Sequence, residues 1–216
     1  MGFKLIEVWI EGSTPLLQHR ATEEALAGRT RDNVPGTPVD PRNVCERAIY
    51  RIPSNGGQIA VPGAAFARML REAGGSHKAK GSRKSLKYII PAAVLIMDDL
   101  CGLFLNDRKT HITDFEVDSR PVTIPATKGK VMRHRARFNE WSCRLIMRVN
   151  EDILNEGIVR QMFSEGLQQI GIGDFRPEKG GPFGTSSIVS WQTISDRPIK
   201  TPAQRRNSAP ATTIHV

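Results

Sequence analysis

The chain has 216 residues, enough for one domain with a sizeable core. Lys and Arg number 31 against 22 Asp and Glu, a formal charge of +9 with an isoelectric point near 9.9, which favours a polyanion, nucleic acid first, over a neutral small molecule as partner. The longest nearly apolar run, residues 89–97, is broken by Pro91 and is far shorter than the about 20 residues of a membrane-spanning helix, so no membrane partner is expected.

Residues 3–11 alternate, with Ile6, Val8 and Ile10 on one side and Leu5, Glu7 and Trp9 on the other, which predicts a first strand and leaves no secretion signal to expect. Residues 12–57 are polar and turn-rich, with Pro15, Pro35, Pro38, Pro41 and Pro53, and read as an insertion holding at most one short helix at 43–51. Residues 59–62 then lead into a helix over 63–74, where Phe66, Met69, Leu70 and Ala73 share one face, Pro62 suits the first turn and Gly74 the stop. Residues 76–87 have the composition of a solvated basic loop, followed by apolar strands over 88–98. Residues 114–124 look extended, and 127–138 carry a dense basic run. Trp141, Cys143, Leu145, Met147 and Val149 alternate with Ser142, Arg144, Ile146, Arg148 and Asn150, the clearest strand of the chain, with two arginines on its polar face.

A second helix over 154–170 aligns Val159, Met162, Phe163, Leu167 and Ile170. It is followed by Gly171-Ile-Gly-Asp-Phe-Arg-Pro-Glu-Lys-Gly-Gly-Pro-Phe-Gly184, a loop rich in glycine and proline that precedes a last strand over 186–194. Dinucleotide-binding and P-loop glycine motifs follow a strand and open a helix, whereas here the helix comes first. Two readings of the loop stay open: a helix cap and hairpin turn, or a ligand-bearing loop in which Gly171, Gly173, Gly180, Gly181 and Gly184 permit close approach and Arg176 and Lys179 meet a polyanion. Residues 196–216 read as a disordered basic tail.

The order strand, helix, strands, strand, helix, strand is that of an α+β, ferredoxin-like (RRM-like) βαββαβ core, with large loop insertions, two helices on one sheet face and the other face open. One domain is expected over 1–195.

Arg133, Arg135 and Arg137 are spaced at two. On an extended chain their guanidinium groups project to one side, a phosphate-binding strip that Lys128 and Lys130 extend and that Arg144 and Arg148 continue on the next strand, with Glu140 the only nearby acid in sequence. Trp9, Phe138, Phe175 and Phe183 are candidates to stack bases or to pack. His19, His77, His111, His134 and His215 are scattered with no pair at metal-ligand spacing, and no nucleophile motif appears, so no catalytic residue, metal or cofactor is assigned. Asp32, Asp40 and the adjacent Asp98 and Asp99 are the isolated acids considered for catalysis. Cys45, Cys101 and Cys143 are odd in number and widely spaced, against a disulfide framework and for a reducing cytoplasm.

With these elements placed, the chain resembles the RAMP superfamily, the repeat-associated proteins of CRISPR systems, in particular the backbone subunits that polymerise along guide RNA. The likeness lies in the first strand running into Ser13-Thr-Pro-Leu-Leu17, in Val61-Pro-Gly-Ala-Ala-Phe-Ala-Arg-Met-Leu-Arg71, similar to that family's Pro-Gly-Ser-Ser-x-Lys-x-x-x-Arg helix start, and in the 171–184 loop. Ala64 and Ala65 stand where the family carries small hydroxyl residues, and Ala67 where it carries lysine. The resemblance implies a modified RNA-recognition fold with insertions and head-to-tail oligomers on RNA, with other subunits of a nucleoprotein complex as partners. The segments 135–141 and 171–177 also look like uncharacterised bacteriophage proteins, which implies single-stranded DNA or RNA as ligand. Two functions are therefore carried forward: a non-catalytic single-strand-binding protein, RNA slightly favoured, that oligomerises on its ligand, and a RAMP-type endoribonuclease.

Overall fold

The computed structural model describes residues 2–21, 40–79, 81–123 and 128–194. The expected tail, Asp32 and His215 lie outside the described residues. The central strands are β1 (Phe3–Gly12), β9 (Ser142–Asn150) and β10 (Ser186–Ile194), both β9 and β10 pairing antiparallel with β1. The short β5 (Val94–Ile96) pairs antiparallel with the far side of β9. Reading across, β10-β1-β9-β5 is the 4-1-3-2 order of a ferredoxin-like βαββαβ unit, whose helices are α2 (Gly63–Ala73) and α4 (Glu156–Gln169). The ferredoxin-like α+β class expected from the element order is the one found.

The period-2 pattern sets the faces. Ile6 lies opposite Met147, Val8 opposite Leu145 and Ile10 opposite Cys143, and all six are fully buried under the helices. Phe66 of α2 and Phe163 of α4 stack 6.3 Å apart against this layer, and Phe163 in turn meets Trp191 of β10 edge-on. Gly166 makes the helix crossing close: a Cβ there would stand 3.2 Å from the Ala73 methyl. Such large buried side chains each contribute about 1.5–3 kcal/mol of transfer free energy.

Beyond β5 the edge of β9 is taken over by β6 (Leu100–Phe104), which carries β4 (Gln58–Pro62) and then β3 (Tyr50–Ile52) outward. The changeover occurs at Asp98, whose Oδ2 accepts the Ile146 amide at 2.6 Å, while the Asp99 carbonyl accepts the Gly63 amide that opens α2. The Asp98 carboxylate therefore serves the backbone at a strand break, whereas Asp99 contributes its main-chain carbonyl and is exposed. Asp40, the cap of α1 (Pro41–Arg47), accepts from the Arg42 amide and is likewise structural.

Two expectations are corrected. The helix expected over 43–51 ends at Arg47, and the chain turns at once into β3, because Tyr50 and Arg51 pair with Ala60 and Ile59. The strands expected over 88–98 are mostly not strand: Leu86–Tyr88 forms a 3-10 turn capped by the Ser85 hydroxyl, and Ile90–Ala93 forms the one-turn α3 with Pro91 in its first turn, leaving only β5 extended. A second sheet, β2 (Leu16–Gln18), β8 (Lys130–Phe138) and β7 (Glu116–Thr123), stands beside the large one, with α1 packed on β8. Among the described residues no helix is long and apolar enough to cross a membrane. Cys45, Cys101 and Cys143 are free and buried, and burial pushes the Cys45 thiol up to about 11.

Candidate nucleic-acid interface

The 171–184 loop leaves the C-terminus of α4 and folds back on itself against the small sheet, where it meets both β2 and β8. The Ile172 amide donates to the Gly184 carbonyl (3.0 Å), the Gly184 amide to Pro15 (2.9 Å) and the Asp174 amide to Leu17 (2.8 Å). Gly184 is obligatory in this closure: its φ is +72°, and a Cβ would lie 1.9 Å from the Ile172 carbonyl oxygen. Gly171 and Gly173 line a cleft, Gly181 packs against the Phe175 carbonyl, and Gly180 follows the 3-10 turn Pro177–Lys179 at the exposed tip, beside the exposed Lys179. Arg176 is turned inward. Its Nη1 donates to the Gly173 carbonyl at 2.8 Å and it ion-pairs with Glu178, which also meets Arg68 of α2 at 3.0 Å.

The basic strip of β8 does not project as one comb. Arg135 is only 4% exposed, because its Nε donates to the Asp174 carboxylate at 2.7 Å and its guanidinium lies 5.9 Å from the Phe175 ring. Arg137 bonds Asn139 and lies 3.9 Å from the buried Asp118, which Arg120 also pairs with. Glu140 is thus not the acid that matters: Asp118 and Asp174, distant in sequence, take up the inner arginines. Arg133, Lys130 and Lys128 remain exposed, and among the described residues no acid pairs with them. Arg144 and Arg148 do not join this strip. They sit on the sheet face opposite the helices, Arg144 paired with Glu7 and Arg148 stacked 4.9 Å over Phe3, near the tilted Trp9 and Phe104 rings.

Of the candidate stacking rings, Phe138 and Phe183 are buried and Phe175 packs on Phe183 at 6.0 Å, with Arg120 over Phe183. These aromatics hold the loop to the small sheet. Burial makes Phe138 and Phe183 packing residues, since a ring must be open on one face to stack a base, while Phe175 is half-buried.

What sequence reasoning missed is the cleft itself, a space of about 250 Å³ walled by the end of β2, the start of α2 and the glycine loop, with Gln18, His19, Arg20, Tyr50 and Arg68 around it. Burial lowers the His19 pKa, and the charges of Arg133 and Arg135 lower it further against the opposing pull of Asp174, so the ring is neutral at pH 7. Burial works against ionisation of Asp174, but the hydrogen bond and charge of Arg135 outweigh it and hold that carboxyl below its usual value. Two residues of the cleft lining carry a buried atom without a protein partner, Gln18 Oε1 and His19 Nδ1, and Arg135 Nη1 is another such atom outside the lining. A polar residue pair directly after a short apolar strand was the only sequence signal for it. The remaining histidines are elsewhere: His77 pairs with Glu165, His134 with Ser119, and His111 packs on Phe104. Among the described residues no group of three or more His, Cys, Asp or Glu could hold a metal ion.

No family model and no curated protein matches this sequence. Solved structures do match in fold. A chain of the type III-B Cmr-β complex, solved by cryo-electron microscopy bound to cognate target RNA, aligns with a TM-score of 0.54 at 12% identity over 89% of this chain and 61% of that one. The protein thus spans less than two thirds of that neighbour's length. Cmr6 from Pyrococcus furiosus aligns with a TM-score of 0.44 at 10% identity, over 87% of this chain and 99% of that one, and a chain of a CRISPR RNA-guided surveillance complex with 0.38 at 13%, over 94% and 74%. The first of these carries the comparison, and at 12% identity the likeness is one of fold: the protein has a ferredoxin-like α+β architecture similar to that of the Cmr-β chain.

Proposed function

We propose that this protein binds a single strand of nucleic acid without cleaving it, RNA favoured over DNA, and that copies of it line up along the strand as part of a CRISPR-type nucleoprotein assembly in the cytoplasm. One observation carries the reading: the exposed Arg133, whose charge reaches His19, and the exposed Lys179, next to Glu178, stand beside a cleft whose walls are held in place by the inner pairs Arg135–Asp174 and Arg176–Glu178, and the exposed Lys130 and Lys128 continue the basic strip of β8 away from it. The inner arginines build the site and the outer cations are free for phosphates. The net charge of +9 adds long-range attraction. The RNA-bound state of the Cmr-β neighbour supports RNA as the ligand.

The test is the salt dependence of binding to a labelled single-stranded RNA. Replacing Lys128, Lys130 and Arg133 by Ala should weaken binding and flatten the slope of log K against log salt by about 0.7 per lost contact, about 2 in all. An unchanged slope removes the strip from the interface. A second reading, metal-independent RNA cleavage, is carried by the neutral His19 in the cleft. RNA recovered intact from the same incubations, with and without magnesium, retains the binding reading, and site-specific products lost in His19→Ala replace it with the enzyme.

A further inference from the structure

Two adjacent residues in the wall of the cleft carry an inference that rests on the nucleic-acid-binding reading and sharpens it. Gln18 is 6% exposed, and its Nε2 donates to the Ala60 carbonyl at 2.9 Å, which leaves Oε1 as a buried acceptor with no protein partner. The next residue, His19, donates a ring N–H to the His134 backbone, a bond that favours the protonated ring and is therefore made to a carbonyl. Nδ1 is the nitrogen without a protein partner, so the donor is Nε2 and the neutral ring presents a bare lone pair at Nδ1. Both residues line the cleft, and buried polar atoms without a partner are few in folded chains, so each calls for a group from outside the chain.

Their chemistry narrows that group. An anion finds no hydrogen-bond donor at either atom. A metal ion or other cation is disfavoured by Arg133 and Arg135, whose charges already act on His19, and by Arg20 and Arg68 in the same cleft. A neutral hydrogen-bond donor fits. The cleft also offers the Tyr50 ring and the apolar Val61, Met69 and Ile172 to a flat group, and Arg20, stacked 5.2 Å over Tyr50, to a phosphate beside it. Its volume of about 250 Å³ lies just under the roughly 300–1,000 Å³ of pockets that enclose drug-sized ligands, and suits one nucleotide rather than a duplex.

We propose that this cleft takes up one nucleotide of the bound strand and reads it through a neutral donor, the ribose 2′-hydroxyl or an exocyclic amino group, given to His19 Nδ1 and Gln18 Oε1. His19 and Gln18 are then the specificity residues of the interface, while the outer cations supply affinity. A 2′-hydroxyl donor makes the protein prefer RNA over DNA whatever the base. An amino donor makes it prefer adenine and cytosine over uracil and thymine whatever the sugar.

Fluorescence anisotropy with labelled homopolymers of rA, rC, rU, dA, dC and dT separates the two sources. Wild type should show one of these contrasts at about threefold to tenfold, the value of one net hydrogen bond. His19→Phe removes the acceptor, and His19→Gln keeps a donor for the His134 carbonyl while placing no acceptor at the δ position. Both should lose the contrast and keep the weaker ligand's affinity. His19→Asn, which retains an acceptor at the δ position, should preserve it. Thermal melts of each variant confirm folding, with His19→Gln as the informative variant where His19→Phe melts early. Homopolymers bound with neither contrast by the wild type, or a contrast that survives in His19→Gln, overturn the proposal while leaving strand binding intact. No binding of any homopolymer by the wild type at low salt overturns the binding reading, and this proposal with it.

Discussion

Removing Arg135 should destabilise the protein without changing the number of phosphates it contacts. The side chain is 4% exposed, its Nε is 2.7 Å from Asp174 Oδ2, and the carboxylate on the other side is 29% exposed. Deleting one partner of a buried ion pair costs about 3–5 kcal/mol. Solvent reaches Asp174, and the Phe175 amide still donates to it, so Arg135→Ala should cost about 2 kcal/mol. In a chain of this size that lowers Tm by about 4–8 °C. Asp174→Asn leaves the less exposed guanidinium without its counter-charge and should cost more, about 3 kcal/mol.

The pH dependence follows from the lowered Asp174 pKa. The folded protein binds this proton less readily than the unfolded chain, so the pair's stabilisation is fully present above the ordinary carboxyl value of 3.8 and is lost as pH falls through the lower folded value. The gap between wild type and Arg135→Ala should therefore be constant at neutral pH and close in strong acid. Urea and thermal melts followed by circular dichroism across pH, together with RNA affinity per folded molecule at several salt concentrations, measure both quantities. If Arg135→Ala melts with the wild type and instead flattens the salt slope as Arg133→Ala does, the guanidinium contacts the ligand and is no strut for the glycine loop.

Two loop glycines of nearly equal φ should behave differently. Gly180→Ala, at φ +73° with open space around it, should cost about 1–2 kcal/mol for the left-handed conformation alone, whereas Gly184→Ala adds a collision with the Ile172 carbonyl oxygen and should cost well beyond that; equal shifts in thermal melts would show that the loop closure is not rigid. Assembly along the strand is read by light scattering at saturating protein, where mass per complex should rise with oligonucleotide length as heterologous contacts repeat. A constant single copy on long oligonucleotides ends the filament reading.

The sequence by itself determined the layers of this protein. Period-2 alternation in residues 3–11 and 141–150 assigns each side chain to a face before any partner strand is known, and the apolar stripes of the two long helices say which sides meet that sheet, because these signals are local and repeat over many residues. The glycine loop was likewise visible as a place of special backbone. Only the tertiary structure decided what its neighbours do. Arg133 and Arg135 have the same residue type and lie on the same side of one strand, yet one is exposed and the other is held by an aspartate 39 positions away. Arg144 and Arg148 seemed to continue the strip, but the turn at Asn139 and Glu140 carries the chain from the small sheet into the large one. Gln18 and His19 gave only the faint signal of a polar pair at the end of a short apolar strand, since it is packing that gives the Gln18 amide to Ala60 and buries the acceptor atoms of both without a protein partner. Charge, face and periodicity are properties of a chain, whereas pairing and desolvation belong to contacts between residues that sequence keeps far apart.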